Sequence, residues 1–161
     1  MYYFELPFAL DTELCLLGNN VFSELPACIN KYWQGKQVLI IADENTWLAA
    51  GEKVHSVLSA AEFDLAEPFI FPGKPTLHAD YEHVKELVPL LKDKAVIAVG
   101  AGTINDLVKR ASFEASTSYL CFATAASVDG YTSAGAAIML NGVKGTMECP
   151  APIAIIADNE V

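Results

Sequence analysis

Basic side chains are scarce in this chain. Ten lysines and arginines stand against twenty acids in 161 residues, for a formal net charge of -10. A field of that sign repels nucleic acid and anionic lipid, and no basic stripe interrupts it, so neither is expected as a partner. It gives no long-range help to an anionic ligand either, so any phosphate must be held by local backbone donors. Long apolar runs are also missing: none approaches the ~20 residues a membrane helix needs. The start, Met1-Tyr2-Tyr3-Phe4-Glu5, has no basic region and no small-residue cleavage site. A cytoplasmic protein is the expectation.

Cysteine and histidine are few and scattered. The four cysteines at 15, 28, 121 and 149 form no close pair of the kind zinc sites use. They read as small buried or half-buried thiols in a reducing compartment. Of the three histidines, at 55, 78 and 83, the last two bracket a helix start without sharing a face one turn apart. No metal site is expected from them.

What the chain does have is apolar character: 53% hydrophobic residues against 19% charged, enough for a packed core. Its length suits a single domain, residues 1–161. Short aliphatic runs alternate with helical patterns. Gln37-Val38-Leu39-Ile40-Ile41-Ala42 reads as a buried parallel strand ending at Asp43. Residues 45–61 carry helical spacing, and residues 67–71 a short strand closed by Pro72-Gly73-Lys74-Pro75. A helix follows from Asp80, then a strand over 94–99, a helix over 104–113 and a strand over 119–123. Residues 134–140 and 143–149 flank Asn141-Gly142, the strongest hairpin signal in the chain. A last apolar run over 152–157 ends at Asp158 three residues before the end, which implies a continuation. The expected fold is α/β: an open, mostly parallel Rossmann-like sheet with helices on both faces, plus a C-terminal β-hairpin.

In such sheets ligands bind outside the carboxyl ends of the strands, which directs attention to three groups. Gly100-Ala101-Gly102-Thr103-Ile104-Asn105-Asp106 is a phosphate-binding candidate, since glycines admit an anion to the backbone and a helix start offers free N–H groups. Asn105 stands where the common dinucleotide fingerprint has its third glycine, and a tight strand-to-helix turn is an equal reading. Asp43 suits either a ribose diol or the N-cap of the next helix. Thr124-Ala125-Ala126-Ser127-Val128-Asp129-Gly130-Tyr131-Thr132-Ser133 is too irregular for an element and too apolar at its start for a solvated loop. It offers hydroxyl donors and an acid to a ligand, or forms a capped turn.

Together these segments, with Phe71-Pro72-Gly73-Lys74-Pro75-Thr76 and Ala151-Pro152-Ile153-Ala154-Ile155-Ile156-Ala157-Asp158, resemble a known family over essentially the whole chain. The resemblance is to the N-terminal domain of the sn-glycerol-1-phosphate dehydrogenases, within the iron-containing alcohol dehydrogenase and dehydroquinate synthase superfamily. It implies an NAD- or NADP-binding domain of a metal-dependent polyol-phosphate dehydrogenase. Gly102, Thr103, Ile104, Asn105 and Asp106 would hold the pyrophosphate, with Gly100 shaping the turn. Thr124, Ala125, Ala126 and Ser127 would line the nicotinamide side, Ser133 would touch the cofactor again, and Asp129 would bind the substrate. Asp43 would face the adenosine ribose and favour NAD over NADP. Ala123 and Ala101 depart from the family's proline and glycine. The resemblance places the divalent metal (zinc, iron or nickel) on an aspartate and two histidines of a following helical domain, absent from this sequence, so the chain alone is expected to lack activity.

Two other functions fit the same residues: a glycerol dehydrogenase or dehydroquinate synthase-like domain, and a non-catalytic nucleotide-binding or interaction module. The face toward the helical domain is expected to expose apolar surface near Ile153, Ala154, Ile155 and Ile156 or on the 134–140 strand, and to promote homo-oligomers.

Overall fold

Continuous apolar runs in this chain become strands covered on both sides. The computed structural model describes residues 2–5 by their backbone and residues 11–161 in full. Three central strands are β3 (Gln37–Asp43), β5 (Lys94–Gly100) and β6 (Tyr119–Ala123). Their side chains alternate between two separate cores. Val38, Ile40, Ala42, Ala95, Ile97, Val99, Leu120 and Phe122 enter one. Leu39, Ile41, Val96, Ala98, Tyr119 and Cys121 enter the other. Period-two geometry forces that alternation, and each face then needs its own helices.

The first face is covered by α1 (Leu25–Trp33) and by a helical stretch made of α2 (Glu44–Thr46), a π-helical turn (Trp47–Gly51) and α3 (Glu52–Ala60). Pro26 suits the first turn of α1, where an amide would be unsatisfied anyway, and Gly35 at φ +76° ends it. The second face is covered by α4 (Tyr81–Leu91) and α5 (Gly102–Glu114). Val84, Leu87 and Leu91 of α4 meet Ile104, Leu107, Val108 and Ala111 of α5 there.

The remaining strands are β1 (Tyr2–Glu5), β2 (Leu14–Gly18), β4 (Phe69–Phe71) and β9 (Ala154–Asp158). The sheet runs β1-β2-β9-β6-β5-β3-β4. All neighbours are parallel except β1, which pairs antiparallel with β2. Numbered from β3 onward, the strands after it stand in the order 2-1-3-4-5, a doubly wound sheet whose order reverses between β3 and β5. A separate hairpin, β7 (Ala136–Leu140) and β8 (Val143–Met147), turns through Asn141 and Gly142, both at positive φ, as a type I′ turn requires. Ala136 and Ile138 press it onto the second face. No helix among the described residues is long and apolar enough to cross a membrane.

The two places expected to expose apolar surface differ. Ala154, Ile155 and Ile156 expose no apolar face, because β9 lies inside the sheet between β2 and β6 and all three are buried. The hairpin, the other expected place, does expose apolar surface at its tip, where Leu140 is 41% and Val143 71% accessible.

Candidate functional site

Parallel register aligns the carboxyl ends of the strands. Ile41 pairs with Ala98, so Asp43 stands level with Gly100; Gly100 pairs with Ala123, and Asp43 with Phe71. At the usual ~4.8 Å between strands, the three loops that leave β3, β5 and β6 open beside one another. Asp43, the residues after Gly100 and those after Ala123 are thereby brought to one edge. Thr124 is tied to it directly, its amide donating to the Gly100 carbonyl at 3.2 Å.

Helix α5 begins two residues earlier than its apolar spacing predicts, at Gly102. Asn105 is the first residue whose amide reaches a helical carbonyl, that of Ala101 at 3.0 Å. The amides of Gly102, Thr103 and Ile104 therefore have no acceptor within the helix, and Ala101, at the N-cap, has no side-chain oxygen to cover them. Ala101 adopts an extended backbone, φ -92° and ψ -157°, which any residue accepts, so the departure from glycine costs no strain. Gly100 does need its missing side chain: a Cβ there would lie 2.6 Å from the Ile104 Cβ. A Cβ on Gly102 would come no closer than 3.7 Å, to Val128. Val128 thus marks where the 124–133 loop passes the start of α5.

The side chains after Gly102 divide. Those of Ile104 and Asn105 are each 1% exposed, and the Asn105 carboxamide accepts the Tyr119 hydroxyl at 2.8 Å. Both side chains face the core, so either residue meets a ligand in the cleft only through its backbone, and the Asn105 amide is already engaged. The Asp106 carboxylate accepts the Ala137 amide. Burial raises its pKa above the ordinary range, against the pull of Lys109, that amide and Lys144.

Asp43 caps the next helix. Its Oδ1 accepts the Thr46 amide at 2.8 Å while the Thr46 hydroxyl accepts the Asp43 amide at 3.0 Å, a reciprocal capping box. Its neighbour Glu44 accepts the Gly73 amide at 3.0 Å, drawing the turn after β4 to the same edge.

The loop after β6 is held from within. The Tyr131 hydroxyl donates to the Ala125 carbonyl at 3.0 Å, and the Ser133 hydroxyl to that of Gly130 at 2.8 Å. Ala126, Ser127, Asp129 and Ser133 are exposed. A cavity of about 260 Å³ lies beside the start of α5, lined by His78, Gly102, Thr103, Asp106 and Lys144 among others. His78 and Lys144 were missed in the sequence because they come from the loop before α4 and from β8, distant segments joined only by packing. Their link is visible in the fold, where the Met139 amide donates to the Ala79 carbonyl at 2.8 Å.

The family model for iron-containing alcohol dehydrogenases matches residues 16–161. This chain belongs to the iron-containing alcohol dehydrogenase family. Among its relatives, the glycerol-1-phosphate dehydrogenase [NAD(P)+] of Bacillus velezensis is 36% identical over 155 residues, covering 94% of this chain and 39% of that protein. The one from Pyrococcus furiosus is 36% identical over 143 residues, covering 89% and 40%. The chain thus spans about two fifths of these relatives, corresponding to their N-terminal domain. Among solved structures, an iron-containing alcohol dehydrogenase from Thermotoga maritima superposes with a TM-score of 0.76 at 13% identity, over 96% of this chain and 48% of that one. Glycerol dehydrogenase from Schizosaccharomyces pombe gives 0.72 at 22%, over 89% and 36%. Those two likenesses establish the shared Rossmann-like fold.

The described residues fit a dinucleotide better than they fit a metal. The open amides, the close-packed Gly100 and the small residues after Ala123 leave room for a phosphate against the backbone. No group of three or more His, Cys, Asp or Glu among the described residues could hold a metal ion, so these residues do not fit the metal for which the family is named.

Proposed function

We propose that residues 1–161 form the NAD(P)-binding domain of a polyol-phosphate dehydrogenase that interconverts glycerol 1-phosphate and glycerone phosphate. The observation that carries this reading is the trio of unacceptored amides at Gly102, Thr103 and Ile104, at the point where the strand order reverses. A helix start of that kind takes a pyrophosphate through directed N–H donors and the positive end of the helix dipole. It answers the charge problem of an acidic chain by purely local means. Lys144 and His78 beside the same cavity add side-chain donors.

The other roles follow along the edge. Asp43 has one carboxylate oxygen on the Thr46 amide, which leaves the other for a ribose diol and sets its negative charge against a 2′-phosphate. NAD is therefore the preferred cofactor. Thr124, Ala125, Ala126 and Ser127 line the far side of the cleft, where a nicotinamide would lie, and Ser133 and Asp129 extend beyond it. Asp129 offers an acceptor to a substrate hydroxyl. Bound there, the nicotinamide supplies hydride chemistry; the protein's part is to orient the ring and to hold the substrate carbon in contact with it.

Calorimetric titration of the chain and of its Gly102→Val variant with NAD tests this. The new Cβ makes only ordinary contact with Val128, 3.7 Å away, and a melting curve recorded beside the titration should show the variant folded. It should lose NAD binding, because its methyls occupy the phosphate's approach. A variant that binds NAD as the parent does would remove α5 from the site.

A further inference from the structure

Lys109 is a charged residue in an apolar setting. It is 1% exposed, and its neighbours Leu107, Val108 and Ala111 on α5 are core. Its ammonium donates to the carbonyls of Gly130 at 3.2 Å, Ser133 at 2.9 Å and Gly135 at 3.2 Å. A lysine ammonium has three protons and accepts nothing, so its whole donor capacity goes to residues 130–135. One turn earlier Asp106 accepts the Ala137 amide. The two opposite charges, at i and i+3, ease each other's burial.

This pair holds the chain from Gly130 to Ala137, just where the cleft loop becomes the hairpin. Beside that pair the segment is fixed before β7 by the Tyr131 ring against the second core with its hydroxyl on the Ala125 carbonyl, a turn of Ser133 onto Gly130, and the Gly135 amide on the Cys149 carbonyl at 2.7 Å. Burying an ammonium is costly, and a leucine or methionine would pack α5 without that cost. What only the ammonium does is bind three main-chain oxygens of an irregular segment at once.

We propose that Lys109 is a positioning residue of the cleft, holding residues 130–135 so that Ser133 and the adjoining Asp129 face the nicotinamide half of a dinucleotide anchored on α5. The proposal rests on the cofactor reading above. It separates the two halves of the ligand: the phosphates and adenosine meet α5 and Asp43, while the nicotinamide side depends on the loop that Lys109 ties down.

The test combines hydrogen exchange with calorimetric titration against ADP and against NAD, for the unmodified chain and Lys109→Met. The variant should speed exchange of the amides in 130–135 by about tenfold or more while β5 and β6 keep their protection. Its ADP affinity should stay within about twofold and its NAD affinity fall about tenfold. A lysine that merely stabilised the fold would lower both affinities together, and that parallel loss would overturn the proposal. Unchanged exchange at 130–135 would overturn it as well. If Lys109→Met fails to fold, Lys109→Gln, which keeps an amide donor, must show the same ranking at smaller amplitude. An unmodified chain that binds neither nucleotide defeats the cofactor reading itself, and the exchange data then assign Lys109 a structural role only.

Discussion

Single side chains in this protein are read best by what they touch. Asn105 and Asp106 lie in a segment that looks like a phosphate loop, yet one accepts the Tyr119 hydroxyl and the other the Ala137 amide. The four cysteines are free thiols, three buried and Cys15 half-buried. Burial pushes the thiols of Cys28 and Cys121 up to about 12 from an ordinary 9.0, with Lys31 and Lys109 respectively pulling the other way. The folded chain therefore keeps protons that the unfolded chain releases between about pH 9 and 12. Where the native state holds more protons, stability falls as pH rises. Denaturant melts at a series of pH values should show full stability from these two thiols below pH 9 and a progressive loss above it. A thiol reagent at pH 8 should label neither residue before unfolding; rapid native labelling of either would contradict their burial.

At the scale of elements, the end of β3 carries the most informative ambiguity. Asp43 caps the helical stretch that begins at Glu44, and the proposed ribose role would use the same carboxylate. Two substitutions separate the functions. Asp43→Asn keeps an equally good N-cap, so thermal stability should hold while the preference for NAD over NADP narrows. Asp43→Ala removes the cap and should cost about 1 kcal/mol in addition. Equal NAD and NADP affinities in the parent, unaffected by Asp43→Asn, would leave Asp43 a cap alone. The elements that were legible in the sequence share a cause. β3, β5 and β6 are buried on both faces, so their apolar runs are unbroken, and the hairpin announces itself through Asn141-Gly142. The elements before Gln37 were not read. There β2 has only five residues with mixed exposure and α1 only nine, too short for a period to emerge. α5 was read two residues late because Gly102 and Thr103 carry no apolar signal.

The site as a whole was half legible for a related reason. Its backbone parts, Gly100 to Gly102 and the hydroxyl-rich loop, follow strands directly and lie at the carboxyl edge that an α/β sheet reserves for ligands. Its side-chain parts come from elsewhere. Nothing in the sequence singles out Lys109, and only the fold of residues 130–135 over it reveals three acceptors. His78 and Lys144 come to line one cavity through the packing of the hairpin on the loop before α4. The doubly wound order and the level strand ends bring the loops after β3, β5 and β6 to one edge, and in the proposed function an anionic ligand would meet the acidic chain there through main-chain donors.

Amide chemical shifts during an NAD titration test that account most directly. The account predicts saturable shifts centred on Gly102, Thr103 and Ile104, with smaller ones at Asp43 and through residues 124–133. Saturable shifts confined to another surface, or no shift at α5 at millimolar NAD, would contradict it.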